Sequence, residues 1–231
     1  MPQPRNIAID GPASAGKSTL GERLAKILGY VYFDTGVMYR AVTWAALQRQ
    51  TPISDEQAIT RLSEALHIEV TQPTQDDGRQ YTVLADDHDI TWQIRSPQVN
   101  QNVSQVSAYP GVRRALVAQQ RRIGQQGKIV MVGRDIGTVV LPEAEIKIYL
   151  DAGIDERARR RHREMAQRQE SKESSTPYEE IRQAMLRRDR IDSHRQASPL
   201  RPADDAIRID TTQLTIEQVL ESILALIHRS A

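Results

Sequence analysis

Cysteine is absent from the 231 residues, aromatic side chains are scarce, and neither charge sign predominates. The lack of cysteine excludes disulfides and thiolate zinc sites and is compatible with a reducing compartment. Aromatic residues make up only 4%, so core or edge packing is favoured over base stacking for Tyr39, Trp44 and Trp92. Lys plus Arg number 31 against 30 for Asp plus Glu, a net charge of +1. That balance argues against a protein that coats a nucleic acid polymer, and any anion site must be local. No long hydrophobic run is present either. The N-terminal Ile7-Ala8-Ile9 is far too brief for a signal peptide or a membrane span. His67, His88, His162, His194 and His228 stand at no metal-ligand spacing and read as surface or packing residues. What is present, 39% hydrophobic and 26% charged residues, describes a soluble globular chain able to bury a sizeable core. A cytoplasmic monomer without membrane or polymer partners is expected.

The hydrophobic pattern alternates between short apolar runs and helical periodicity. Ile7–Ile9 reads as a buried strand feeding a Gly-rich turn, followed by a helix over Ser18–Leu28 that closes at Gly29. Val31–Phe33 is a second strand and Met38–Leu47 a second helix. Ser54-Asp55-Glu56-Gln57 has the form of a capping box ahead of an Ile59, Leu62, Leu66 stripe. From Ile68 to Ile90, Val/Thr/Tyr-rich pieces broken by Gln72-Pro73 and Asp76-Asp77-Gly78 predict a small antiparallel β insertion. Helix is predicted at Pro110–Ile123, strands at Lys128–Val132 and Ile146–Leu150, and a charged helix at Asp155–Gln169. A polar gap covers 169–176, helix returns over Tyr178–Arg190, and a strand at Ile207–Ile209 precedes a final helix, Ile216–His228. Strand–helix alternation of this kind predicts an α/β fold with a parallel sheet.

One motif is specific. Gly11-Pro12-Ala13-Ser14-Ala15-Gly16-Lys17-Ser18 matches G-x-x-x-x-G-K-[ST] between a predicted strand and a predicted helix. Small residues let the backbone wrap a phosphate so that its N–H groups converge, and the helix N-terminus adds partial positive charge. Lys17 then reaches the β- and γ-phosphates, and the Ser18 hydroxyl suits Mg²⁺, which needs only one or two protein ligands. The loop alone says only that a nucleotide binds. No GTPase base-reading motif accompanies it.

Three further stretches narrow the reading: Asp34-Thr35-Gly36-Val37-Met38-Tyr39-Arg40, Gly133-Arg134-Asp135-Ile136-Gly137-Thr138, and Arg188-Asp189-Arg190-Ile191-Asp192-Ser193-His194-Arg195. Together with Ile9-Asp10-Gly11-Pro12, and in this order, the chain resembles the bacterial cytidylate kinases along essentially its whole length. The resemblance implies a P-loop NTPase three-layer sandwich as one kinase domain over 1–231. A β-rich insertion on the monophosphate side would span about 67–95, and a helical lid about 154–190. It implies ATP with Mg²⁺, and CMP or dCMP, as the small-molecule partners. Arg40 and Arg134 would hold the CMP phosphate. Ser104, Arg113 and Asp135 would read the cytosine, and Arg188 and Asp192 would hold the ribose, with Thr35 and Tyr39 beside them. Arg195 matches an arginine placed near the substrates. Arg157, Arg160 and Arg161 correspond to the lid over ATP, which Thr19 would also help to bind.

The chemistry suits these residue types. Arginine offers phosphate a rigid fork of donors. A carboxylate such as Asp135 accepts from the cytosine 4-amino group but faces an oxygen in uracil, a difference worth roughly 1–3 kcal/mol. No catalytic base is evident and none is needed, because the second pKa of a phosphate monoester is near ~6. Catalysis would rest on in-line positioning and charge stabilisation by Lys17, Arg134, Arg160 and Arg195 with the metal, and on a lid that excludes water. Plainer readings stand beside these. Arg157, Arg160 and Arg161 have the spacing of a solvated face held by surface ion pairs. Arg188 and Asp192 have that of an intrahelical pair, and Ser104 could bond locally. Gly133 and Gly137 suggest tight turns. Another acceptor (UMP, AMP or a small hydroxyl metabolite), or a nucleotide-binding module without turnover, remains the alternative.

Overall fold

The computed structural model describes residues 3–71, 73–168 and 176–230. In chain order the elements are β1 (Asn6–Asp10), α1 (Lys17–Leu28), β2 (Val31–Asp34), α2 (Gly36–Gln48), α3 (Glu56–Ala65), β3 (Ile68–Thr71), β4 (Thr82–Ala85), β5 (His88–Asp89), α4 (Pro97–Val106), α5 (Pro110–Gln125), β6 (Ile129–Val132), β7 (Ile146–Asp151), α6 (Ile154–Arg168), α7 (Tyr178–His194), β8 (Ile207–Asp210) and α8 (Ile216–Ser230). Contacts divide the chain into two compact units, Met1–Asp34 with Ile123–Ala231, and Thr35–Arg122.

The first unit is built on a five-stranded sheet in the order β2-β6-β1-β7-β8. Every pairing in it is parallel. β6 is apolar and buried throughout and β1 is apolar at Ile7–Ile9 between Asn6 and Asp10, as strands covered on both faces must be. One face packs Ile7, Ile9, Val130, Val132, Ile146, Ile148 and Leu150 against Leu20 and Leu24 of α1 and Val219, Ile223 and Ile227 of α8. Gly29 ends α1 in the left-handed conformation and its N–H reaches the Ala25 carbonyl. α6 and α7 pair around Ala158, Ile181 and Met185. The phosphate loop after β1, Asp34 closing β2, Gly133–Asp135 after β6 and Asp151 closing β7 all sit at C-terminal strand ends. In an open parallel sheet this is the end at which ligands bind.

In the second unit α2 packs on α3, α4 and β4. The antiparallel sheet β3-β4-β5 forms within the predicted insertion. Arg79 locks it. Its buried guanidinium donates to Asp77, Asp89 and Thr82, and the exposed Trp92 adds an indole N–H bond to Asp77 at 2.9 Å.

Several expectations shift. The capping box at Ser54 does not form; Asp55 caps α3 instead, accepting the Ala58 N–H at 2.9 Å. A reciprocal box occurs at the start of α8, where Thr215 and Gln218 exchange bonds of 2.9 and 3.3 Å. α4 is absent from the sequence-based expectation because its only apolar residues are three valines spread among Gln, Asn and Ser, which gives periodicity little to show. Its signature is Ser96 accepting the Val99 N–H, Pro97 at the first position, and the buried stripe Val99, Val103, Val106. α7 runs past the predicted end at Arg190 and closes at His194. Gln169 and most of the polar gap lie outside the described residues.

Candidate active site

The phosphate loop leaves β1 through backbone that only small residues tolerate. Gly11 has φ 144° and Gly16 has φ 94°. A Cβ at Gly11 would lie 2.0 Å from the Leu150 carbonyl oxygen. Ser14 also takes positive φ, at 59°. Gly16 stands at the N-cap of α1 with no side-chain cap, which leaves the first-turn N–H groups to an anion. Lys17 begins the helix, buried, with Nζ donating to the Pro12 carbonyl at 2.6 Å. Ser18 follows, its Oγ donating to Asp34 Oδ2 at 3.3 Å. Thr19 is exposed on the same turn.

Around this loop the first unit concentrates positive charge. Burial, reinforced by Arg134 and Arg188, draws the Lys17 pKa well below that of an ordinary lysine. Arg188 is shifted down too, by burial and then by Arg134. Cations gathered in this way mark a place suited to anionic oxygens. Arg134 Nε donates to Asp192 Oδ2 at 3.0 Å. Arg188 Nε lies 3.9 Å and Arg195 Nη1 4.0 Å from the same carboxylate. Burial opposes ionisation of Asp192, yet Arg134, Arg188 and Arg195 outweigh it and hold its pKa below the usual carboxylate range. The pair Arg188–Asp192 is therefore part of a buried network that reaches Arg134, and not an isolated surface pair. Asp135 is buried and receives Arg195 Nη2 at 3.5 Å. Arg195 caps α7 and donates through Nε to the Ser198 carbonyl at 2.6 Å.

Of the three candidate arginines on α6, Arg157 and Arg160 depart from a solvated face, while Arg161 keeps the surface-pair reading. Arg157 is buried, with Nε on the Ala152 carbonyl at 2.8 Å, Nη1 on the loop carbonyl of Ala13 at 3.4 Å, and Nη2 on Asp189 at 2.7 Å. Arg160 donates to Glu156 and to the side chain and carbonyl of Thr211, whose hydroxyl in turn reaches the Ala15 carbonyl. Arg161 pairs with Glu164 at 2.9 Å.

The second unit carries the remaining candidates. Thr35, at the N-cap of α2, and Tyr39 are buried. Arg40 Nη1 donates to the Ile94 carbonyl at 3.0 Å and to Asn100 Oδ1 at 2.7 Å, while Asn100 Nδ2 donates to the Arg95 carbonyl. The Arg113 guanidinium lies 5.2 Å from the centre of the Tyr39 ring and donates to the Ser107 carbonyl at 3.0 Å. Ser104 is half-buried on α4.

Sequence reasoning missed Asp10, Asp34 and Asp189 as partners of the first-unit residues, and Asn100 as the partner of Arg40. Asp10, Asp34 and Asp189 all lie within the quoted motifs, which marked their positions but not their partners, whereas Asn100 had no local signal. Gly133 and Gly137 do not serve turns that need positive φ. Gly137 serves close approach, for a Cβ there would stand 3.2 Å from Lys147 Cδ and 3.4 Å from Asp10 Oδ2.

A family model described as "Cytidylate kinase" matches residues 7–229. A relative named cytidylate kinase from Chloroflexus aggregans is 53% identical over 215 residues, covering 93% of this chain and 90% of its own. Another of that name, from Herpetosiphon aurantiacus, is 49% identical over 227 residues, with 98% and 96% covered. Among solved structures, an uncharacterized protein from Eubacterium ventriosum aligns with a TM-score of 0.51 at 10% identity, over 97% of this chain and 98% of that one, a likeness of fold alone.

Proposed function

The chain belongs to the cytidylate kinase family, and from that premise we propose that it transfers the γ-phosphoryl group of ATP to CMP or dCMP, giving ADP and CDP or dCDP. The observation that carries the chemistry is the cationic cluster of Lys17, Arg134 and Arg188, with Asp192 held ionised among them. Such groups are positioned to stabilise the charge that spreads over the oxygens of a transferring phosphoryl group.

The residue roles follow from donor chemistry. Residues 11–19 wrap the ATP phosphates, and Lys17 exchanges its bond to the Pro12 carbonyl for the β- and γ-oxygens. Arg134 takes the CMP phosphate in the first unit and Arg40 does so in the second, oriented by Asn100. Asp135 accepts from the 4-amino group of cytosine. Arg113, set over Tyr39, and Ser104 meet the remaining polar atoms of the base, with Thr35 at the head of α2. Arg188 and Asp192 hold the ribose hydroxyls. Arg157, Arg160 and Arg161 supply positive charge on the ATP side, and Arg195, beside Asp135 and Asp192, supplies it near the acceptor. Helices α6 and α7 act as a lid over about residues 154–190, and closure keeps water from the γ-phosphate. The chain works as one kinase domain, monomeric and cytoplasmic, with 67–95 as its monophosphate-side insertion. Among the described residues no helix is long and apolar enough to cross a membrane.

Ser18 Oγ and the Asp34 carboxylate, 3.3 Å apart, form a hard-oxygen donor set of the kind Mg²⁺ accepts, and these two residues would hold it. When bound, the ion neutralises charge on the phosphates and orients them. The acceptor oxygen needs no base, being largely ionised at neutral pH.

Incubation with ATP, Mg²⁺ and a panel of CMP, dCMP, UMP, AMP and small hydroxyl metabolites tests the assignment. CDP and dCDP are expected as the dominant products. Preference for AMP or a non-nucleotide, or binding of both nucleotides without turnover, would overturn it.

A further inference from the structure

We propose that Asp10 is a positioning residue for acceptor recognition: from the end of β1 its carboxylate fixes the turn that presents Arg134 and Asp135, and thereby sets how sharply a 4-aminopyrimidine is separated from a 4-oxopyrimidine. The proposal rests on the reading that Asp135 meets the cytosine amino group.

Asp10 is buried, at 4% exposure, with each carboxylate oxygen used once. Oδ1 accepts the Ile136 N–H and Oδ2 the Gly137 N–H, both at 2.8 Å. Those donors open the single π-helical turn Ile136–Val140. The first N–H groups of any helical turn lack partners within it. Asp135, which stands at the N-cap, makes no side-chain cap bond. Asp10 therefore caps the turn from another strand, and the Asp135 carboxylate is directed to Arg195 instead of to its own backbone. At the other end of the turn, the N–H groups of Val139 and Val140 both return to the Asp135 carbonyl, at 2.9 and 3.1 Å. The peptide of Asp135 is thus held from both sides. Glycine at 137 leaves room for this approach, since a Cβ there would stand 3.4 Å from Asp10 Oδ2 and 3.2 Å from Lys147 Cδ.

Asp10 is also the residue immediately before Gly11, so one side chain joins the root of the phosphate loop to the turn bearing Arg134 and Asp135. The charged and titratable groups facing it are Lys17 from α1, Asp135 from the turn, and Tyr149 of β7, with Lys147 of the same strand against Gly137. Burial raises the Asp10 pKa to about 6, against the two N–H bonds that favour the charge. A protonated carboxyl carries a donor where the turn requires an acceptor, so the clamp weakens when Asp10 takes a proton.

Steady-state kinetics with CMP and UMP, on the wild type, Asp10→Asn and Asp135→Asn, provide the test. The amide introduced by Asp10→Asn keeps the size and one acceptor but turns an NH₂ toward a second N–H. The CMP-to-UMP ratio of kcat/KM is expected to fall about tenfold in Asp10→Asn, while KM for ATP stays within about threefold of wild type. A merely structural role would depress both acceptors equally and leave the ratio alone, and that outcome, with Asp135→Asn still lowering the ratio, would overturn the proposal. If Asp135→Asn leaves the ratio unchanged, the base-reading premise fails and takes the proposal with it. Should Asp10→Asn not fold, the wild type decides. Titration of the monophosphate is common to both acceptors and cancels in their ratio, which should fall as the pH drops through about 6; a flat ratio between about pH 8 and pH 5 would sink the idea.

Discussion

Lys17 is turned back onto its own loop, on the Pro12 carbonyl, and burial with neighbouring arginines makes its charge costly to hold. Lys17→Met should cut turnover by about 10²–10³-fold through loss of charge stabilisation. The thermal midpoint without nucleotide should hold or rise, because a strained buried cation has gone; a comparable loss of midpoint and turnover in calorimetry and kinetics would assign Lys17 to structure instead. Asp192 presents the opposite case. It is the shared anion of Arg134, Arg188 and Arg195. Asp192→Asn removes the carboxylate that Arg134 bonds, with Arg195 still held by Asp135, and chemical denaturation should register a loss of about 3 kcal/mol. At this scale residue type and spacing are local, so Lys17 and Ser18 were legible from the loop motif. Partners are not local: Asp10 lies 126 residues before Ile136, and Asn100 lies 60 after Arg40.

Elements were legible where burial is apolar and obscure where it is polar. β1, β6 and β7 announce themselves as apolar runs bounded by breakers, and α1 by its stripe and its Gly29 stop. α4 hides its Val99, Val103, Val106 stripe among amides. α7 passes its predicted end because position 192 is buried by arginines rather than by apolar neighbours, so periodicity could not mark it. The junction between β1 and the phosphate loop is the least forgiving joint. At Gly11 a methyl group would meet the Leu150 carbonyl at 2.0 Å, on backbone with φ 144°. Gly11→Ala is expected to cost about 1–3 kcal/mol in stability and to lower turnover with it. Denaturation midpoints and rates measured on one preparation check this, and a variant as stable and active as wild type would refute the packing argument.

Across the whole molecule the ion pairs set the response to acid. Asp77, Asp89, Asp155, Glu156, Asp192, Asp205, Asp210 and Glu217 are all held below their ordinary pKa values, chiefly by arginine or lysine partners, or for Asp210 by Thr212. A carboxylate lowered in the folded state stabilises fully above its unfolded value and loses that contribution as pH falls through the folded one. The thermal midpoint should therefore drop below about pH 4, steeply only if the buried Asp192 network dominates over exposed pairs that contribute little. Asp10 acts in the reverse sense: raised from 3.8 to about 6, it adds stability as pH falls through that window. A midpoint level down to about pH 3 in scanning calorimetry would show the pairs to be inert. The sequence by itself determined the α/β class, the phosphate loop and the order of the motifs, because apolar periodicity and small-residue turns are local properties of the chain. Only the tertiary structure decided which carboxylate answers which arginine and which strand caps which turn, since hydrogen bonds and burial join residues that covalent order keeps far apart.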